Sequence, residues 1–175
     1  KRLKEKISSG GTSTLRVSTR NEMLEEWAER LLTYLHWNGV AMVEFKYNDQ
    51  TKKGWFIEIN PRFWGSLALP YYAGMDFPWL YYQILRDGDI SFTDNYKEGI
   101  RVKWLLGGMI AFADNLFNDN KIDLNHLKLN ANYYDDFSWN DPLVLFGELA
   151  YYGEKFMKSF KLNPTKDSFL NIDDI

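Results

Sequence analysis

Four residues in one short stretch of the chain are of types that could do chemistry together. Glu58, Asn60 and Arg62 follow one another at two-residue spacing, and Glu44 lies upstream of them. Carboxylate and amide oxygens are the ligands that hard divalent cations prefer. A guanidinium carries its donors in a fixed fork that suits carboxylate or phosphate. The residue types therefore indicate a site for a divalent metal and an anion.

A β-hairpin is needed to bring these residues together. Residues 40–47 and 55–60 have the pattern of two strands, and the polar segment 48–54 between them ends in glycine, which predicts a hairpin loop. Side chains alternate between the faces of a strand. Folding the hairpin symmetrically about Thr51 pairs apolar residues on one face, Val43 with Ile59 and Phe45 with Ile57.

The same register predicts a polar opposite face. Glu44 then lies directly across from Glu58, and Met42 lies across from Asn60. Opposed like charges destabilise a sheet by roughly 0.2–1 kcal/mol. The carboxylates could therefore bind a cation, form an acid–base pair, or lie solvated at a surface with Lys46 relieving the repulsion. Arg62 favours the first explanation because it suits the anion that such a cation would carry.

The hairpin resembles the metal-binding hairpin of the ATP-grasp superfamily of carboxylate–amine ligases. That pattern is an acidic residue on one strand and Glu-x-Asn on the next, matched here by Glu44 and by Glu58-Ile59-Asn60. The family's Asn-Pro-Arg is matched by Asn60-Pro61-Arg62. The surrounding runs 39–45, 63–66 and 76–78 resemble the carbamoyl-phosphate-synthetase-like branch.

The resemblance implies an ATP-dependent ligase that acts through an acyl phosphate. Glu44, Glu58 and Asn60 would bind Mg²⁺ (or Mn²⁺) and through it ATP, and Arg62 would be the catalytic contact to a small carboxylate substrate. The family's adenine pocket and phosphate-holding lysines lie mostly upstream of this hairpin. We therefore expect a C-terminal portion that is inactive without a missing N-terminal ATP-grasp portion.

The fold class predicted for the chain is α+β, with a mainly antiparallel sheet packed by helices, as an ATP-grasp C-terminal subdomain. Besides the hairpin, strands are predicted at 14–17, 99–106 and 133–137, and helices at 21–36, 66–73, 76–88, 109–117 and from 141 onward. We expect residues 1–98 to form the catalytic subdomain and 99–175 an extension packed on the same core.

Composition excludes several classes of protein. A net charge of −3 argues against a nucleic-acid partner, which needs a basic patch. The absence of cysteine excludes disulfides and thiolate metal sites. No apolar run approaches the ~20 residues of a membrane span. We expect a cytoplasmic protein without a membrane partner, and the sequence leaves a homo-oligomer open.

Aromatic residues make up 17% of the chain and support a rival hypothesis. A non-enzymatic module could bind a ligand such as carbohydrate through a coplanar row of exposed rings. Glycoside hydrolysis by Glu44 and Glu58 would need a suitable carboxyl separation in a sugar cleft. His36 is interpreted as a capping or packed residue, and His126 as a lone loop histidine.

Overall fold

The structure is a computed structural model that describes residues 1–5, 13–91, 94–118 and 122–159. The composition of residues 8–13 predicts a glycine-rich loop, and that of the segment after Asn163 predicts a loosely held polar tail; residues 8–12 and this tail lie outside the described residues. The fold is α+β with mainly antiparallel strand pairing, which confirms the predicted class.

The chain divides into two compact units. Residues Ser18–Ile100 form one, here called the inserted unit, and Lys1–Val17 with Arg101–Ile175 form the other, the terminal unit. The predicted catalytic subdomain at 1–98 and extension at 99–175 are assignments of function, which these structural units do not test. That division stays a prediction.

The inserted unit holds the hairpin. Its elements in chain order are α1 (Glu22–Tyr34), β3 (Met42–Asn48), β4 (Lys53–Asn60), α2 (Ala68–Ala73) and α3 (Phe77–Asp87). Strands β1 and β2 belong to the terminal unit and are given below.

Local sequence signals start and end the helices of the inserted unit. The Asn21 side chain accepts a hydrogen bond from the Leu24 N–H at 3.2 Å, and Asp76 accepts from the Trp79 N–H at 3.0 Å. Each satisfies an amide that would otherwise lack a partner at a helix start. Gly74 ends α2 in the left-handed conformation at φ 103°. Asn21 and Asp76 begin the predicted helices 21–36 and 76–88, where their residue types predict N-caps, and the structure confirms both caps.

The predicted hairpin register is right at the candidate site and wrong nearer the loop. Met42 pairs with Asn60, Val43 with Ile59 and Glu44 with Glu58, as predicted. A β-bulge follows, so that Phe45 pairs with Phe56 and not with Ile57.

The turn explains this offset. The Asn48 carboxamide oxygen accepts hydrogen bonds from the N–H groups of Gln50 and Thr51 at 2.9 and 3.0 Å, and Lys52 adopts φ 53°. The loop therefore closes between Asn48 and Lys53, which is half a residue away from a turn centred on Thr51. One extra residue, Ile57, remains in β4 and forms the bulge.

Helix α1 covers the apolar face of the hairpin. The Trp27 and Phe45 ring centroids lie 6.1 Å apart, and so do those of Phe45 and Phe56. Gly54 lies beneath Trp27, where a Cβ atom would come within 2.7 Å of the indole ring. The face with Glu44 and Glu58 is the opposite one.

Replacing Gly54 with alanine should destabilise the inserted unit by about 1–3 kcal/mol, because the added methyl group overlaps the Trp27 ring. Urea unfolding followed by circular dichroism measures the change. Gly65→Ala is the matched control, since a Cβ atom at Gly65 meets no atom within 4 Å. Equal stability of the two variants would contradict this packing of α1 on the hairpin.

The terminal unit is built on a mixed four-stranded sheet in the order β1-β2-β5-β6. Pairing is antiparallel except between β5 and β6, which are parallel. Its elements are β1 (Arg2–Glu5), β2 (Ser13–Val17), β5 (Arg101–Lys103), α4 (Leu105–Asn118), a 3-10 turn (Leu124–His126), β6 (Tyr133–Tyr134) and α5 (Leu143–Ser159). Across the described ranges, no helix is long and apolar enough to span a bilayer.

The predicted strand at 99–106 is too long, because α4 already begins at Leu105. The two oxygens of the Asp136 carboxylate accept hydrogen bonds from the N–H groups of Leu105 and Leu106 at 3.0 and 2.7 Å. This cap comes from a residue about thirty positions downstream, so neighbouring residues in the sequence give no signal for it.

Candidate functional site

The two predicted metal-binding carboxylates are direct cross-strand partners on the hairpin. Glu44 on β3 is half-buried, and Glu58 on β4 is exposed. Their side chains project from the face opposite Trp27 of α1, since their neighbours Phe45 and Phe56 lie on the α1 side. The two acidic side chains therefore share the face of the hairpin that α1 does not cover.

Asn60 joins the carboxylates on the same face. Its amide nitrogen Nδ2 donates a hydrogen bond of 2.7 Å to Oε1 of Glu58. This contact fixes the side-chain amide and leaves its oxygen, the atom that can bind a metal, outside that hydrogen bond. Glu58 thus lies between Glu44 across the ladder and Asn60 along the strand.

The donor set fits a hard divalent cation. Two carboxylates and one amide oxygen are oxygen ligands of the kind that Mg²⁺ and Mn²⁺ take, usually together with water and substrate phosphate. Within the described ranges, no three His, Cys, Asp or Glu side chains are grouped as metal ligands. The candidate site has two such residues, and its third predicted ligand is the Asn60 amide.

Arg62 lies just beyond the end of β4, after Pro61, and is exposed. Its Nη1 donates a hydrogen bond of 3.2 Å to the carbonyl oxygen of Phe63. The register brings together Glu44, Glu58 and Asn60, whereas Arg62 lies in the turn that follows. The functional roles of all four residues stay predictions.

The bulge adds a residue that the symmetric register had placed elsewhere. It turns Trp55 onto the carboxylate face, opposite Lys46, where the symmetric register puts Phe56. Trp55 is 52% exposed. The signal for this change was Asn48, since an asparagine at a loop start closes the backbone over the next two residues.

The aromatic residues of α3 bear on the carbohydrate hypothesis. Trp79 and Tyr82 are about half exposed, and their rings stack on each other with centroids 5.3 Å apart and an interplanar angle of 26°. The Arg86 guanidinium lies over the Tyr82 ring, 5.4 Å from its centroid. These two rings therefore cover each other's faces, and they do not form the coplanar row that this hypothesis needs.

Comparison with known proteins identifies the family. The sequence model described as "ATP-grasp in the biosynthetic pathway with Ter operon" matches residues 1–107, which include all four predicted site residues. The chain belongs to this ATP-grasp family. Neither the curated proteins nor the solved structures gave a match.

The family match confirms the predicted resemblance to the ATP-grasp superfamily. It indicates a domain of the ATP-dependent ligase type and implies that the domain binds ATP. ATP-grasp enzymes generally use ATP with Mg²⁺, and the oxygen ligands on the hairpin are compatible with that chemistry.

Proposed function

We propose that this chain supplies the metal-binding part of an ATP-dependent ligase that joins a carboxylate to an amine or a thiol. The observation that carries the proposal is the direct pairing of Glu44 with Glu58, with Asn60 hydrogen-bonded to Glu58 on the same face. Opposed like charges cost a sheet roughly 0.2–1 kcal/mol, and a cation bound between them would offset that cost.

Each of the three hairpin residues has a role in this proposal. Glu44, Glu58 and Asn60 would hold Mg²⁺ or Mn²⁺, with Glu58 as the ligand that lies between the other two. When bound, the metal neutralises charge on the β- and γ-phosphates of ATP. The half-buried position of Glu44 limits the water that competes for its carboxylate.

The reaction would take place in two displacements. A carboxylate oxygen of the substrate attacks the γ-phosphorus, the bond to ADP breaks, and an acyl phosphate forms. The amine or thiol then attacks the acyl carbon, the carbon–oxygen bond to phosphate breaks, and the nucleophile loses its proton. Arg62, which is exposed beside the hairpin, would bind the anionic carboxylate and then the acyl phosphate.

The complete enzyme needs more than this hairpin. We propose that residues 1–98 form its C-terminal catalytic subdomain and that 99–175 form an extension. An N-terminal ATP-grasp portion would supply the adenine pocket and the lysines that hold the phosphates. The small carboxylate substrate and ATP would bind between that portion and the Glu44–Glu58 face.

Trapping with hydroxylamine tests the reaction class without knowledge of the natural amine. The complete enzyme that carries this chain, given Mg²⁺, ATP and a panel of small carboxylates, should form a hydroxamate together with stoichiometric ADP. Arg62→Ala should lower the rate of hydroxamate formation by about 10²–10³-fold, the loss typical of one donor to a developing anion.

Arg30→Ala is the control for this assay. Arg30 lies on α1, is 75% exposed and pairs only loosely with Glu26 at 3.7 Å. Its removal should leave hydroxamate formation unchanged. ATP hydrolysis without hydroxamate for every carboxylate of the panel would contradict the acyl-phosphate step.

A further inference from the structure

His126 is buried in the terminal unit, where the candidate site makes no use of it. It ends the 3-10 turn Leu124–His126, and only 7% of it is exposed. Its Nδ1 atom is buried without a hydrogen-bond partner. The interpretation of this residue as a lone loop histidine is therefore wrong.

Four segments of the terminal unit meet around His126, and two of them, α4 and the start of the 3-10 turn, approach its ring. Nε2 lies 3.3 Å from the amide nitrogen of Asn115 on α4 and 3.6 Å from a carboxylate oxygen of Asp123. The same Asp123 oxygen accepts a hydrogen bond of 3.0 Å from Nζ of Lys4 on β1. Nζ of Lys103 on β5 donates to the His126 carbonyl oxygen at 2.7 Å.

The surroundings of the ring, burial first among them, favour its neutral form. Burial lowers the pKa of His126 below its ordinary value of 6.5, and Lys4 and Lys103 act in the same direction, while Asp123 opposes them. Helix α4 contributes the uncharged amide of Asn115. The hydrogen bond from Lys4, with help from Asn125, lowers the pKa of Asp123 to about 2, so this carboxylate stays ionised while His126 titrates.

We propose that His126 is an acid-sensitive switch, here called the lock: its protonation weakens the Lys4–Asp123 ion pair that joins strand β1 to the 3-10 turn. At neutral pH the uncharged ring leaves the Asp123 carboxylate to Lys4, and the Lys4–Asp123 pair fastens β1. On acidification the ring gains a second N–H and a charge. The imidazolium then competes with Lys4 for Asp123 and repels the Lys4 ammonium, so β1 is released from the turn.

The direction of the pH effect follows from linkage. A base with a lowered pKa in the folded state takes up its proton more readily when unfolded. The stability contributed by neutral His126 is fully present above pH 6.5 and is lost as the pH falls through the folded pKa. For each pH unit by which the folded-state pKa lies below 6.5, the ratio of folded to unfolded protein falls by about tenfold once the pH is below that pKa.

Nuclear magnetic resonance can follow the lock directly, since the chain has two histidines. The His126 imidazole signals should titrate with a midpoint below 6.5, and the backbone signals of Arg2–Glu5 should shift with the same midpoint. His36→Asn is the matched control, because His36 is exposed and has φ 48°, a conformation that asparagine tolerates. This variant should keep both responses.

Two further variants separate the lock from a simple packing role. His126→Gln should remove the response of β1 between pH 7 and 5. Lys4→Met should also leave β1 without a pH response, while His126 still titrates at a higher midpoint because a positive neighbour is gone. A His126 midpoint at or above 6.5, or β1 signals that stay still while His126 titrates, would overturn the proposal.

Discussion

Replacing Glu58 with glutamine should abolish metal binding at the Glu44–Glu58 face and leave the hairpin folded. Glu58 is the central member of the candidate site, paired with Glu44 and hydrogen-bonded to Asn60. Loss of a residue that only hydrogen-bonds to a metal ligand already lowers the metal affinity by roughly 10–100-fold. Removing the charge of a residue that itself binds the metal should lower the metal affinity by more than about 100-fold.

Titration with Mn²⁺ measures this effect, because Mn²⁺ takes the same oxygen ligands as Mg²⁺ and broadens nearby nuclear magnetic resonance signals. In the unaltered chain, broadening should centre on the backbone signals of residues 44, 58 and 60. In Glu58→Gln it should vanish at concentrations that saturate the unaltered protein. Glu29→Gln, an exposed change on α1, should behave as the unaltered chain does.

Stability gives an independent check on the Glu58 variant. The substitution removes one of two opposed negative charges, so unfolding without metal should become harder by roughly 0.2–1 kcal/mol. A variant that lost metal binding because it unfolded would show the opposite change. Metal binding by Glu58→Gln equal to that of the unaltered chain would exclude Glu58 as a ligand.

Asn60→Ala separates the amide from the carboxylates. It removes the 2.7 Å hydrogen bond to Glu58 and the amide oxygen that is predicted to bind the metal, without changing the charge. The loss of affinity should therefore be smaller than that of Glu58→Gln. Because the two residues are in contact, the double variant should lose less than the sum of the two single losses.

The sequence could predict the parts of the site that depend on neighbouring residues. Alternation of apolar side chains places Val43 opposite Ile59, and that pairing carries Glu44 to Glu58. Asn21 and Asp76 precede helices, and each caps its helix by accepting a hydrogen bond from the N–H group three residues further on. In each case the residue and its partner are close along the chain, so one pattern specifies the geometry.

The bulge at Ile57 could be predicted only from the turn and not from the apolar pattern of the strands. The apolar pattern on both sides of Ile57 is compatible with two registers, and the turn decides between them. Asn48 closes that turn with its own side chain, which shifts the pairing by one residue and brings Trp55 to the site face. The hydrogen bonds of the Asn48 side chain therefore outweigh the symmetry of the hairpin in setting the register.

The polar interior of the terminal unit could not be predicted, because its partners are distant in sequence. Asp136 caps α4 from about thirty residues downstream, and Lys4 reaches Asp123 across more than a hundred residues. His126 is buried by elements that the sequence does not show to be adjacent. Such contacts depend on the topology of the sheet, and a single sequence carries little information about it.

Replacing Arg16 with methionine should destabilise the terminal unit by about 3–5 kcal/mol, the usual cost of breaking a buried ion pair from one side. The Arg16 side chain is 5% exposed, and its Nη2 donates to the carboxylate of Asp135, which is 19% exposed. Nη1 donates to the Ser13 carbonyl oxygen at 3.1 Å. The variant would leave the Asp135 charge buried without its partner.

The pH dependence of this loss identifies its cause. Burial raises the pKa of Asp135 above its ordinary 3.8 even with Arg16 beside it, and without the guanidinium the pKa should rise further. An acid with a raised pKa contributes stability below its unfolded pKa and loses it as the pH rises through the folded one. The difference between Arg16→Met and the unaltered chain should therefore be largest at neutral pH and shrink on acidification.

The double variant Arg16→Met with Asp135→Asn completes the test. It removes both charges, and buried ion pairs replaced on both sides are often near neutral in stability or better. We expect it to recover most of the stability lost in Arg16→Met. Arg30→Met, which breaks the exposed pair with Glu26, should cost about 0–1 kcal/mol at any pH. If Arg16→Met lost no more than Arg30→Met, the interior of the terminal unit would be hydrated, and the Arg16–Asp135 pair would behave as a surface pair.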